Sequence, residues 1–450
     1  MKNREELLKG GMNSLFMKLA IPSILTGIIV GLYNLVDAIF VGQLIGPEAV
    51  GAVSLSYALT LANWAITFLV GVGSMSLLSR AIGAKDMDTV RKIPGNLLMV
   101  CATVSALLTL VTFVFAEPLI GFVGGTGPIL DLGTSYIRIV CLGYVFASTS
   151  LGLNLLLRGE GKMKEAMLIV GMSNGLNILL DYIMIGPMGM GVEGAALATV
   201  VSQSVFLLSM LLYYRYGSSI ISVGRPHLAR DLIPKIGKVG SAAMMMMVLM
   251  AVQQVFLFRV IGSMGDESQL IVLSATLRLF TFLPIIAKGV GEGMQPLVGT
   301  AFGYGDLPRT RSAFSRFSIL GTLLVLIPWM LIMTFPRDIL GAFITDPVML
   351  EAGYENFRLF FSSFILQVVV FNLNYYFIAI GKGKESGMLV LVRQLILFVP
   401  LVLVLPMIMG VEGAYLVIPL CDVLTVVIGA LMMIREYGSQ HSVAETVTGA

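Results

Sequence analysis

Charge is scarce in this chain. Asp, Glu, Lys and Arg make up 12% of its 450 residues, where a soluble domain carries roughly 25%. So few charges cannot clothe a globule of this length, and lipid must be the solvent for much of the surface. Histidine occurs twice, at His227 in a polar loop and His441 in the tail, which argues against a histidine metal site or a catalytic triad. The three cysteines, Cys101, Cys141 and Cys421, all fall in apolar runs. They read as small core residues, with no disulfide framework and no metal spacing. ATP motifs are missing too. Gly159-Glu160-Gly161-Lys162 lacks the Walker spacing, and Met163 follows where Ser or Thr is required. No nucleophile elbow or zinc helix occurs. A formal net charge of +3 is too small an excess to imply nucleic acid. No cleavable leader is expected, because the first apolar segment, 16–44, is too long for one.

Apolar residues are abundant, at 57%, and mean hydropathy is +0.92. Crossing the hydrocarbon core takes roughly 20 apolar residues in a helix. Twelve stretches qualify: 14–43, 52–78, 93–116, 132–157, 165–186 and 191–214, then 236–262, 270–300, 313–334, 353–379, 387–408 and 411–434. They are too long for barrel strands and lack strand alternation. The reading is therefore an all-α integral membrane protein with twelve transmembrane helices.

Lysine and arginine alternate between the connecting loops. Cytoplasmic loops should hold them. Lys2, Arg4, Lys9 and Lys18 lie at the N-terminus, and residues 44–50 have none. Arg80, Lys85, Arg91 and Lys92 cluster, and 117–133 has none. Arg158, Lys162 and Lys164 cluster, and 186–194 has none. Arg215, Arg225, Arg230, Lys235 and Lys238 mark the middle loop, and 262–269 has none. Arg309, Arg311 and Arg316 follow, then Lys382 and Lys384, a bare 406–413, and Arg435. Arg337 alone breaks the rule. Both termini are expected in the cytoplasm.

The two halves repeat at a nearly constant separation of 220 positions. Asn34 matches Gln254, Gly71 matches Gly291, and Asp86 matches Asp306. Arg138 matches Arg358, and residues 161–165, GKMKE, match 381–385, GKGKE. Residues 191–195, GVEGA, match 410–414, with the separation slipped to 219. Six helices per repeat give both halves one orientation, so the bundles should be related by a pseudo-twofold along the membrane normal. The expected divisions are an N-lobe at 1–215, a linker at 216–235, a C-lobe at 236–435 and a cytoplasmic tail at 436–450. Such duplication suits a secondary transporter that rocks one bundle against the other.

Carboxylates inside spans carry the sharpest functional signal, because a charge in the bilayer is costly. Asp37 lies in the first span, with Tyr33 and Asn34 four and three residues before it on one helix face. Asp181 lies in the fifth, with Asn177 and Asn174 four and seven before it. Polar side chains can also simply tie helices together, and for the two asparagines that reading stays open. A carboxylate pair can take up a proton or bind sodium, and so change the charge of a cavity. Glu292 follows Lys288 by four residues, which suits either an internal ion pair or a contact to substrate. Arg259, Arg278 and Arg393 read as snorkelling residues, with Asp422 a partner for one of them. Some of the 28 methionines suit a cavity that accepts many shapes.

Several segments together resemble the MATE family, the multidrug and toxic compound extrusion transporters. They are Ala20-Ile21-Pro22, Tyr33-Asn34-Leu35-Val36-Asp37, Gly83-Ala84-Lys85, Arg158-Gly159-Glu160-Gly161, residues 191–196 and Gln295-Pro296-Leu297-Val298-Gly299. The resemblance spans residues 10–436 and is greatest to the MepA-like and DinF-like branches. It implies a MATE-like fold and antiport of cationic lipophilic compounds against H+ or Na+ across the plasma or inner membrane, with antibiotic resistance as a consequence. It implies no cofactor, no nucleic-acid partner and a monomer. Asp37, Asn177, Asp181 and Thr199 match the family's N-lobe cation site, where Na+ could bind. Tyr136 and Asn154 match positions lining the same cavity. The seventh span has Gln253 and Gln254 but no acid, so a C-lobe acidic site is not expected. A flippase for lipid-linked precursors, which would favour a cationic cavity, and a membrane-embedded enzyme are the competing readings.

Overall fold

In hydrocarbon no water is available to the peptide group, so each apolar run must satisfy its backbone internally and coils into a helix. The computed structural model describes residues 2–264 and 267–448, with side chains left aside for Lys2, Glu267 and 439–448. His441 and most of the expected tail lie outside that side-chain description. Twelve helical segments among the described residues are long and apolar enough to cross a membrane. They are α1 (Met12–Leu44), α2 (Pro47–Ala84), α3 (Met87–Val114), α4 (Pro128–Gly159), α5 (Met163–Ile185) and α6 (Gly191–Tyr216). The second six are α7 (Ile233–Ser263), α8 (Ser268–Tyr304), α9 (Leu307–Thr334), α10 (Pro347–Ala379), α11 (Gly383–Met409) and α12 (Val411–Gly438). Every stretch anticipated above corresponds to one of them.

Local signals set the ends. Asp86 caps α3, accepting from the Thr89 amide at 3.1 Å and the Thr89 hydroxyl at 2.6 Å. Those two donors hold its carboxyl below the ordinary carboxylate value. Asp306 caps α9 in the same way, through the Arg309 amide at 3.0 Å. Gly161 and Gly381 both take positive φ, at +80° and +82°, a region that suits glycine. These matched pairs carry the sequence repeat into backbone geometry.

The chain forms two compact units. Unit 1 is 1–10 and 25–244; unit 2 is 11–24 and 245–450. The sequence reading divides the lobes at the linker instead. Glycines explain why short helix ends join the other half's helices. In unit 1, a Cβ on Gly240 would stand 1.7 Å from the Leu69 carbonyl oxygen, and one on Gly73 would stand 2.3 Å from that of Ile236. The start of α7 therefore lies directly on α2. In unit 2, a Cβ on Gly289 would stand 2.8 Å from Ile24 Cα, and one on Gly293 would stand 2.7 Å from Ala20 Cα. Gly289 and Gly293 are four apart on α8, the small-residue spacing that lets helix backbones touch.

Unit 1 also holds a buried polar knot. Ser105 and Ser148 donate to Asn63 Oδ1 at 2.9 and 3.0 Å, joining α2, α3 and α4. The segment after α6 is strapped to the same unit. Ile221, Ala229 and Leu232 enter its apolar core. Glu160 accepts from the Ser219 hydroxyl and from the Ile220 amide. Burial pushes the Glu160 carboxyl above its ordinary value, against the pull of those donors and of Lys162.

Among the described residues of unit 2, regular helix is interrupted three times, once in α10 by a 3-10 turn at Phe364–Leu366. A π-turn occupies Val392–Ile396 in α11, and Pro284 opens a new helix inside α8. Such breaks free backbone groups and commonly mark functional places.

Candidate functional site

Four helices of unit 1 supply the residues. Asn174, Asn177 and Asp181 recur at intervals of three and four along α5, so they form one stripe. Small residues open α6: a Cβ on Gly194 would stand 3.1 Å from the Met184 carbonyl oxygen, so α6 and α5 can run close together, and Thr199 follows one turn on. Asp37 comes from α1 and Tyr136 from α4. Val41, Tyr136, Val140, Ile185, Val192 and Ala195 pack as one apolar cluster beside the group.

Asp37 and Asp181 lie within hydrogen-bonding reach of each other, carboxyl to carboxyl. Asp37 is half-buried, whereas Asp181 is 0% exposed. Among the described residues neither Asp181 oxygen has a donor partner, and the same is true of both ends of the Asn177 side chain. Two carboxylates only accept hydrogen bonds. They tolerate this approach when a proton is shared between them or a cation stands among their oxygens. Tyr33 and Tyr136 sit in the field of both acids, beside Thr199. The Thr199 hydroxyl donates to the Ala195 carbonyl at 3.0 Å, so its lone pairs are left to accept. Carboxylate, hydroxyl and phenol oxygens from four helices thus gather, with the Asn177 amide one turn before Asp181 on the same stripe, an all-oxygen set suited to a proton or a hard cation. Among the described residues, no group of three His, Cys, Asp or Glu could hold a metal ion.

The other anticipated residues lie elsewhere or at the margin. Asn174 is half-buried on the same stripe, its amide nitrogen unpartnered. Asn34 is exposed. Asn154 is not brought to the group. It donates to the Ala166 carbonyl at 3.0 Å and accepts from Arg158 Nε at 3.0 Å. It ties the end of α4 to the start of α5, and the Asn154–Arg158 spacing of one helical turn is the sequence signal for that role.

Glu292 belongs to unit 2. It accepts from Ser23 Oγ at 3.3 Å and from the Tyr375 phenol at 3.3 Å, and Lys288 stands 3.6 Å away. The expected i,i+4 ion pair is present, together with two partners on α1 and α10 that no local pattern announces. Asp422 is 0% exposed and pairs with Arg393 Nε at 2.7 Å, inside the π-turn. Ser363 donates to its second oxygen at 2.9 Å.

The MatE family model matches residues 22–183 and 242–404. The chain is 23% identical over 401 residues to the multidrug export protein MepA of Staphylococcus aureus strain N315, covering 88% of each chain. It is 22% identical over 399 residues to that of Staphylococcus haemolyticus strain JCSC1435, again covering 88% of each. Its fold is similar to a MATE crystal structure in the bent conformation, with TM-score 0.92 and 24% identity over 98% of this chain and 99% of that one. It is also similar to an outward-facing multidrug resistance MATE family transporter of the MOP superfamily, with TM-score 0.88 and 24% identity over 97% and 98%.

Proposed function

Because the chain belongs to the MatE family and is therefore a multi-pass membrane transporter rather than an enzyme, we propose that it is a multidrug efflux antiporter coupled through Asp37 and Asp181. It exports cationic lipophilic compounds in exchange for H+ or Na+. The observation that carries the reading is the close approach of two acids with no cationic side chain between them. An ion entering from outside loads the pair and cancels its attraction for a cationic substrate, which leaves. Loss of the ion to the cytoplasm restores the negative charge and with it the affinity for the next substrate. Asn177, Thr199, Tyr33 and Tyr136 complete the shell around the ion. Ion and substrate exclude one another electrostatically, and differential binding of each to two conformations drives alternation. The transporter works as a monomer in the plasma or inner membrane with both termini inside, in keeping with the lysine and arginine distribution.

Proteoliposomes loaded with ethidium test the exchange. Imposed sodium and proton gradients, applied separately, should drive dye movement under one of them and none without a gradient. Equal movement in the absence of any gradient would sink antiport.

A further inference from the structure

Unit 2 contains an open cavity of about 330 Å³ lined by Gln254 and Phe258 of α7 and by Ser274, Leu277, Arg278 and Thr281 of α8. Arg278 is exposed and has no hydrogen-bond or ion-pair partner among the described residues. It stands ten positions after Ser268, the first residue of its span. At about 1.5 Å per residue that is about 15 Å into the helix, close to the middle of a hydrocarbon core about 30 Å thick. An unpaired arginine at that depth must face a water-filled recess, and such residues mark ligand pathways. The Gln254 side chain also lacks a partner among the described residues. Guanidinium and amide together therefore offer unused N–H donors, and no acidic residue among the described ones lines the cavity to satisfy them. Phe258 and Leu277 supply an apolar wall beside them.

The matching positions of the first repeat, 220 residues earlier, are Asn34, Ala38, Ser54, Tyr57, Ala58 and Leu61. They include no cation. Arg278 is thus no relic of the duplication, and the cationic recess is peculiar to unit 2. Its polarity is opposite to that of the acid pair, so it does not serve the cationic end of a substrate.

We propose that this recess binds the oxyanion headgroup of an amphiphile, phosphate or carboxylate, on Arg278 and Gln254, with the first carbons of its apolar tail against Phe258 and Leu277. The site does not depend on the coupling scheme assigned to unit 1.

Hexyl phosphate, titrated calorimetrically into the full-length protein in phosphatidylcholine nanodiscs, tests it. Inorganic phosphate is the second titrant and separates a free anion from an amphiphile. Wild-type protein should bind hexyl phosphate at least about tenfold more tightly than inorganic phosphate, given roughly 0.8 kcal/mol per buried methylene. Arg278→Gln should weaken hexyl phosphate about 10- to 100-fold, the usual value of hydrogen bonds to a charged group. Arg316→Gln removes a charge elsewhere and should leave the affinity unchanged. Thr281→Trp keeps the guanidinium but fills the cavity, and it should also weaken binding, which decides the matter should Arg278→Gln fail to fold. Unaltered affinity in Arg278→Gln or in Thr281→Trp overturns the site. Equal affinity for the two phosphates overturns the apolar half of the assignment.

Discussion

Exchanging Asp181 for Asn is expected to yield a folded protein whose ion-driven ethidium efflux falls about 30-fold or more. Removing one charged group from a buried ionic contact costs about 2–5 kcal/mol, and 2 kcal/mol is already that factor. Asn keeps the shape of the side chain, so packing around α5 is preserved. Asp181 is fully buried and its oxygens have no neutral donor to lose, which leaves the interaction with Asp37 as the principal casualty. Asp37→Asn should behave alike, because the proposed coupling site needs both acids. The double variant should be no worse than either single one, since residues acting as a unit are not additive. Efflux in drug-sensitive cells at matched expression checks this. A tie between helices predicts the reverse pattern: lowered stability with transport intact.

The buried ion pair of unit 2 carries the largest expected effect on stability. Replacing Arg393 by Met leaves the fully buried Asp422 with only neutral donors, Ser363 at 2.9 Å and Gln367 at 3.5 Å. Breaking such a pair from one side costs about 3–5 kcal/mol. Replacing both partners, Arg393→Met with Asp422→Leu, should recover most of that loss, because two well-packed apolar side chains avoid the desolvation penalty altogether. Trp329 donates to the Ser362 carbonyl at 3.0 Å, one residue from Ser363, so its fluorescence reports unfolding close to the pair. Comparable losses in the single and double variants would contradict this account. The first repeat offers a neutral precedent. Ser173, 220 residues before Arg393, donates to the Ser202 carbonyl at 2.9 Å, so the same place between helices is held there without charge.

Much of the fold is legible in the sequence because hydropathy and loop charge constrain it independently. A missed span would invert the lysine and arginine alternation from that point on. The fifth span, read as 165–186, runs Met163–Ile185. What stays hidden depends on approach between helices far apart in sequence. The contact of Gly289 and Gly293 with α1, which places 11–24 in unit 2, has no local signal in the sequence. The π-turn at Val392–Ile396 shows in the sequence only as Arg393 and Gln394 within an apolar run, and that polar interruption does not reveal the widened turn.

The candidate site divides along the same line. The stripe on α5 and the Tyr33–Asp37 face of α1 follow from helical periodicity alone. That the two faces meet does not. Asn154 is placed in the cavity by the family resemblance alone, and the sequence shows its partner Arg158 only as a loop cation. The halves also differ in a way the repeat makes visible. Leu257, Leu397 and Leu401 stand 220 residues after Asp37, Asn177 and Asp181. Duplication gave both halves one scaffold, and the acid pair is a feature of unit 1 alone.

Cation release on substrate binding tests the coupling claim most directly. Ion-loaded protein in weakly buffered detergent solution, mixed with ethidium, should free a proton or a sodium ion as the dye binds, read by a pH indicator and a sodium electrode. The Asp37→Asn, Asp181→Asn double variant should free neither. Dye binding to the wild type without ion release, or undiminished release from the double variant, would contradict the proposed exchange.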